Sequence, residues 1–218
     1  MNKDDRRVIV LVEGPTERTL ADRVLTPAAL KQDIFLKAVT VKTSSTPSGS
    51  HSGGGTWTNY QKALTGFFKD RNLRRIGLLI DYYQYPRGAP GRDAAGNGIT
   101  RQSELVNALR AQYQDDRFCP LVVLHEIEAL VLAAIDAGHG DGVIPRRELA
   151  ALRRAIVAAG GPEFVNNGTE TAPSKRLKKA APNYSKTVTG PDLVAEAGLD
   201  AILERCPTFA SWWRDILS

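Results

Sequence analysis

The sequence has little cysteine and no uninterrupted run of apolar residues long enough to cross a membrane. Its two cysteines, Cys119 and Cys206, stand alone, without zinc-like spacing or the density of a disulfide scaffold. With no secretory signal visible before the first apolar run, this pattern points to a reduced, cytoplasmic protein. The apolar stretch 121–135 is interrupted by His125, Glu126 and Glu128, which excludes a membrane span there. Residues 43–55, rich in Gly, Ser and Thr, lack the Gly-Lys-Ser/Thr ending of a P-loop. No Gly-x-Ser-x-Gly nucleophile turn can be drawn through them either, so they read as a surface loop with no regular element. There is no internal repeat. A net charge of +5 over 218 residues permits a polyanionic partner without requiring one.

What the chain does have is a series of short apolar runs. Residues 8–12 are five aliphatics in a row, the pattern of a strand buried on both faces of a parallel sheet. Strands are also expected over 34–41, 75–80 and 118–124. Helical spacing separates them: Leu20, Val24 and Ala28; then Tyr60, Leu64, Phe67 and Phe68; then Leu105, Leu109 and Tyr113. Strands alternating with helices predict an α/β fold, a mostly parallel four-stranded sheet flanked by helices. The expected organisation is an α/β core over 1–140 with a helical C-terminal extension, 141–218, packed on it as one globular unit.

Three of these strands end in acids. Glu13 follows the first and Asp81 the third, while the fourth runs into His125-Glu126-Ile127-Glu128. Parallel strands bring their carboxyl ends to one edge, where open α/β sheets place ligand chemistry. Carboxylates gathered there are hard oxygen ligands for a divalent cation whose shell a phosphate substrate completes. The sequence leaves the last pair open. If the backbone stays extended, Glu126 and Glu128 share a face; if a helix has begun, they diverge. Glu17 reads as a helix-start residue, with a supporting role behind the ligands as the alternative. Tyr82, Tyr83 and Tyr85 head a Pro-, Gly- and Arg-rich connection that either stacks bases or simply anchors to the core.

The last third is mostly helical. Leu149, Leu152 and Ile156 lie inside a helix that stops at Gly160-Gly161, and two closing helices cover 193–204 and 209–217. Residues 161–191 read as loop-like. Within them Ser174, Lys175 and Arg176 form a phosphate-contacting cluster or, on the bland reading, the start of a basic helix.

The segments Val-Glu-Gly-x-Thr-Glu at 12–17, Ile-Asp-Tyr-Tyr-x-x-Pro at 80–86 and Leu-His-Glu-x-Glu-Ala-Leu at 124–130 resemble an uncharacterised, Toprim-like family of bacterial proteins. Residues 167–176 and Cys206-Pro207-Thr208-Phe209 match it too, so the resemblance spans nearly the whole chain. Toprim domains occur in topoisomerases, primases, small ribonucleases and the nucleases of the overcoming-lysogenization-defect group. They hold Mg²⁺ with a glutamate after the first strand and usually an Asp-x-Asp after the third. The resemblance implies that Glu13 and Asp81 bind metal. Tyr83 stands where the second aspartate belongs, which leaves Glu126 and Glu128 as its substitutes. Relatives of this family are often encoded beside ATPases in anti-phage or mobile-element contexts, which implies a neighbouring ATPase as partner.

The expected activity is Mg²⁺- or Mn²⁺-dependent hydrolysis of phosphodiester bonds in DNA or RNA. Glu13, Asp81, Glu126 and Glu128 would be the metal ligands, with Glu126 the closer of the later pair. Lys175 would offset charge in the transition state, and Ser174, Lys175 and Arg176 would contact phosphate. The alternative is a non-catalytic module of the same fold that binds nucleic acid, nucleotide or a partner ATPase.

Overall fold

The computed structural model of the chain describes residues 6–46, 49–52, 56–83, 85–93, 97–165 and 171–218. Strand β1 (Arg7–Val12) leads into helix α1 (Pro15–Leu20). The helical path continues through a π-turn, Ala21–Leu25, into α2 (Thr26–Leu30). Pro27 accounts for the π-turn: it has no N–H and its ring crowds the carbonyl one turn back, so the ladder is displaced locally. Strand β2 (Phe35–Thr40), the hairpin β3 (Lys42–Thr46) and β4 (Gly49–Ser52), and α3 (Trp57–Lys69) follow. Then come β5 (Leu73–Asp81), α4 (Gly98–Tyr113), β6 (Phe118–Val123) and α5 (Ala129–Asp136). The remainder comprises α6 (Arg146–Ala159), a 3₁₀ turn (Pro162–Phe164), α7 (Pro173–Ala180), α8 (Thr189–Ala197), α9 (Leu199–Arg205) and α10 (Pro207–Leu217).

The fold is α/β, with a four-stranded sheet ordered β2-β1-β5-β6 and every pairing parallel. Two corrections to the sequence reading stand out. Residues expected to hold no regular element carry the antiparallel β3–β4 hairpin. The loop-like 161–191 contains α7, whose Pro at its start and buried Leu177 give it a helical N-terminus and an inward face.

The sheet is covered on both sides, which is why its strands read as unbroken apolar runs. On one face Val10, Val12, Leu79 and Leu121 pack against α1, α5, α8, α9 and α10. On the other Leu11, Ile76, Leu78 and Ile80 meet Trp57, Tyr60 and Leu64 of α3 and Leu105 and Leu109 of α4. Helix α10 lies close against β5 and β6. A Cβ at Gly77 would sit 2.9 Å from Ile216 Cδ1, and Trp212 Nε1 donates to the Cys119 carbonyl at 2.9 Å. Glu163, 7% exposed, accepts from the Thr208 and Phe209 amides at 3.0 Å each and so caps α10. No helix among the described residues is long and apolar enough to cross a membrane.

Candidate metal and phosphate site

The carboxyl ends of β1, β5 and β6 meet at one edge, each followed by acids. After β1 the chain turns at Gly14, whose N–H donates to the Glu17 carboxylate at 2.9 Å. Glu17 therefore reaches back over the first turn of α1 as a capping side chain. A Cβ at position 14 would lie 3.2 Å from Glu17 Oε2, so glycine allows the carboxylate to close in. Glu13 is half-buried beside it.

At the end of β5, Asp81 Oδ1 accepts the Ile127 N–H at 3.1 Å, tying this strand to the turn after β6. That turn is neither extended nor helical, so neither alternative left open by the sequence applies. His125 takes a left-handed backbone (φ 73°), unusual for a residue with a Cβ, and Glu126 to Glu128 form a tight turn into α5. The turn is stitched to β5 by the Tyr82 and Tyr83 amides, which donate to the Val123 and His125 carbonyls at 2.8 and 3.0 Å. The left-handed residue thus sits where the segment after β5 holds the backbone. His125 Nδ1 is buried with no hydrogen-bond partner among the described residues, and burial lowers the imidazole pKa.

The two later glutamates are committed to different partners. Glu126, 6% exposed, accepts from the Ser174 amide at 2.8 Å and from Ser174 Oγ at 3.0 Å, at the first turn of α7. Glu128, 2% exposed, pairs with Lys186 Nζ at 2.7 Å. Burial pushes the Glu128 pKa up even against that ammonium. Lys186 is half exposed; burial alone would depress its pKa, but Glu128, Glu126 and Asp81 together raise it.

The five acids share one electrostatic environment. Burial holds Asp81 well above the usual aspartate range, and the charges of Glu17, Glu128, Glu13 and Glu126 each push it further. Burial also raises Glu17, partly offset by its amide hydrogen bonds and by Lys186. Two buried hydroxyls, those of Tyr60 and Tyr184, border the cluster and have no hydrogen-bond partner among the described residues. Burial raises the pKa of Tyr60, with Glu13, Glu17 and Asp81 adding to it; Tyr184 is raised by burial and then by Glu128 and Glu126.

Of the residues singled out from sequence, Glu13, Asp81, Glu126 and Glu128 come to this edge. Ser174 is there too, buried, with both its amide and its hydroxyl donating to Glu126. Lys175 is exposed, and Arg176 Nε donates to the Thr171 carbonyl at 2.7 Å, within its own helix start. Lys186, Tyr60 and Tyr184 were not foreseen. Lys186 lies in a turn with no motif around it, so no local signal marks it.

Among the described residues, no three His, Cys, Asp or Glu side chains stand in an arrangement that could by itself hold a metal ion. The donor chemistry nevertheless fits a hard cation, which takes oxygen ligands, and Mg²⁺ needs only one or two carboxylates because it keeps several waters. Glu13 and Asp81 are the half-buried acids of the set, whereas Glu126 and Glu128 are held by Ser174 and Lys186.

No curated protein matches the chain. A solved structure, the C-terminal region of the Burkholderia pseudomallei OLD protein, is similar over 98% of this chain and 99% of that one, at 16% identity and a TM-score of 0.45. A family described as a domain of unknown function (DUF4276) matches residues 12–217, and the chain belongs to that family.

Proposed function

We propose that this edge binds a divalent cation, Mg²⁺ or Mn²⁺, and hydrolyses phosphodiester bonds in DNA or RNA. The observation that carries the reading is the convergence of Glu13, Glu17, Asp81, Glu126 and Glu128, with the Lys186 ammonium facing Glu128, Glu126 and Asp81. Buried acids crowded until they push one another's pKa up are what a cation relieves. The motifs at 12–17, 80–86 and 124–130, which resemble Toprim proteins, carry four of these five acids at the strand ends, and Glu17 closes the first.

Glu13 and Asp81 would hold the ion. Glu126 and Glu128 would join only by exchanging Ser174 and Lys186 for it. When bound, such an ion stabilises charge on the oxygens of an in-line displacement. Lys186, half exposed on its way to Glu128, is the side chain placed to meet a phosphate, and Lys175 and Arg176 supply further positive charge along the approach. Asp81, through the Ile127 amide, keeps the β6 turn in register with β5.

A second reading has its own support. Glu126 and Glu128 are already satisfied by protein groups, and no three-acid metal set exists among the described residues. Both fit a module of this fold that binds nucleic acid or a partner ATPase without cutting. One experiment separates the two. Purified protein is incubated with DNA and with RNA in Mg²⁺, Mn²⁺ or EDTA, alone and with any ATPase encoded beside it. Cleavage that requires metal and is lost in Glu13→Gln and Asp81→Asn supports the nuclease. Binding without cleavage under every condition supports the module.

A further inference from the structure

Positive charge is concentrated in one part of the molecule. Residues 171–191 carry Lys175, Arg176, Lys178, Lys179 and Lys186, and no acid. Helix α6, which packs against α7, adds Arg146, Arg147, Arg153 and Arg154 against Glu148 alone. The whole chain is only +5, so what lies outside these two stretches is net acidic. Elsewhere the surface interleaves its charges: Arg7 pairs with Asp70, Arg18 with Asp22, Arg110 with Asp215 and Arg205 with Asp136. Lys175, Lys178 and Lys179 are exposed and make no ion pair among the described residues.

Folding accounts for little of this. Lys175 and Arg176 stand in the first turn of α7, where the helix dipole opposes cations; only Lys178 and Lys179, in the last turn, suit it. Lys175 also lies three and four residues before Lys178 and Lys179, the spacings at which like charges destabilise a helix. The helix is held to the core through Pro173, Ser174, Leu177 and Ala180, which leaves the lysine face with no packing role. The basic stretch is nevertheless fastened to the acidic edge at both ends. Ser174 donates to Glu126 from the first turn of α7, and Lys186 reaches Glu128 at 2.7 Å. A row of phosphates lying along α7 is thereby brought to the acids after β6.

We infer that the exposed face of α7 is the docking surface for the sugar-phosphate backbone of duplex nucleic acid, which it holds beside the acidic edge without reading its sequence. The inference rests on the nucleic-acid substrate of the proposed function, but on neither metal binding nor cleavage. Charge complementarity selects the occupant: a surface rich in cations and without acids is completed by a polyanion. Composition selects its form. Helices α6 and α7 contain no aromatic residue on which an unpaired base could stack. Lysine meets phosphate as a point charge, blind to the base it carries. Duplex presents the denser array of phosphates and releases more counterions for each one neutralised, so it is favoured over a single strand.

Fluorescence anisotropy of the whole chain with short DNA duplexes of unrelated sequence, in EDTA so that no metal-dependent cutting intervenes, tests this. Lys178→Gln/Lys179→Gln exchanges two good helix formers for two others. It should weaken binding of every duplex about tenfold or more and lower the slope of log K against log salt by about 2. Lys62→Gln/Lys69→Gln removes the same charge from exposed positions on α3, across the sheet, and should leave the slope as in wild type. Circular dichroism checks that both variants are folded. A single strand of equal length should bind more weakly than the duplex. Equal effects of the two double variants, no effect of the α7 pair, tighter binding of the single strand, or affinity that changes from sequence to sequence each overturn the inference. The proposed function is judged separately. A chain that binds duplex through α7 and never cuts keeps this inference and loses the nuclease; metal-dependent cleavage with binding indifferent to the α7 pair does the reverse.

Discussion

Replacing Lys186 with methionine probes the acidic edge most directly. The substitution keeps most of the stem and removes an ammonium that faces Glu128, Glu126 and Asp81. Glu128 is then a 2% exposed acid with no cation. Breaking a fully buried pair from one side costs about 3–5 kcal/mol. Lys186 is half exposed and its charge is partly screened, so the expected loss is about 1–3 kcal/mol. For a chain of this size that is a fall in Tm of about 3–10 °C. Glu128→Gln should behave oppositely. It relieves burial of a charge and repulsion on Asp81, so the apo protein should be as stable as wild type or more so. The double variant should recover most of what Lys186→Met loses, which gives a coupling energy of the same size as the single loss. Thermal unfolding of the four proteins, followed by circular dichroism in EDTA, measures the cycle. Repeating it in Mn²⁺ asks whether a cation substitutes for the ammonium: on the proposed function, Mn²⁺ should raise the Tm of Lys186→Met more than that of wild type. If Lys186→Met leaves apo stability unchanged, or if its loss persists when Glu128 is already glutamine, the ion pair does not compensate this edge and the electrostatic argument fails.

Other outcomes follow from the same geometry. Burial raises the pKa of Glu163 from 4.5 despite its two amide hydrogen bonds, so the folded state holds that proton more tightly than the unfolded chain. Its contribution to stability is therefore fully present below pH 4.5 and is lost as pH rises through the folded pKa. Urea titrations should show that portion of the pH dependence missing in Glu163→Gln. The alanine pair Lys175→Ala/Arg176→Ala should lower the slope of log K against log salt for duplex DNA by about 2, read by fluorescence anisotropy. An unchanged slope would confine these two residues to the α7 start.

Much of the fold was legible because it is locally encoded. The aliphatic run in β1 and the apolar endings of β5 and β6 announce strands buried on both sides. An acid placed directly after such a strand has nowhere to go but the sheet's carboxyl edge, so the neighbourhood of Glu13 and Asp81 could be read from the chain alone. Helix α6 was equally plain, with its inward leucines and the left-handed Gly160 at its end. Elements with no apolar period were not legible: the β3–β4 hairpin hides in a Gly- and Ser-rich stretch, and α7 has one fully buried Leu in eight residues.

The sequence by itself determined which residues are strands and which acids stand at their ends, because side-chain period and strand termination depend on near neighbours. Only the tertiary structure decided what those acids meet. Ser174 reaches Glu126 across 48 positions, and Lys186 reaches Glu128 from a turn without a motif. Tyr60 turns its hydroxyl to the acids from a helix whose period shows only that it faces inward. The left-handed His125 that separates Glu126 from β6 is likewise held by the Tyr83 amide on its carbonyl, a contact between the turns after β5 and β6 that no local pattern encodes. Contacts of this kind depend on how the connections route one element against another, and that routing is fixed by packing the whole core at once.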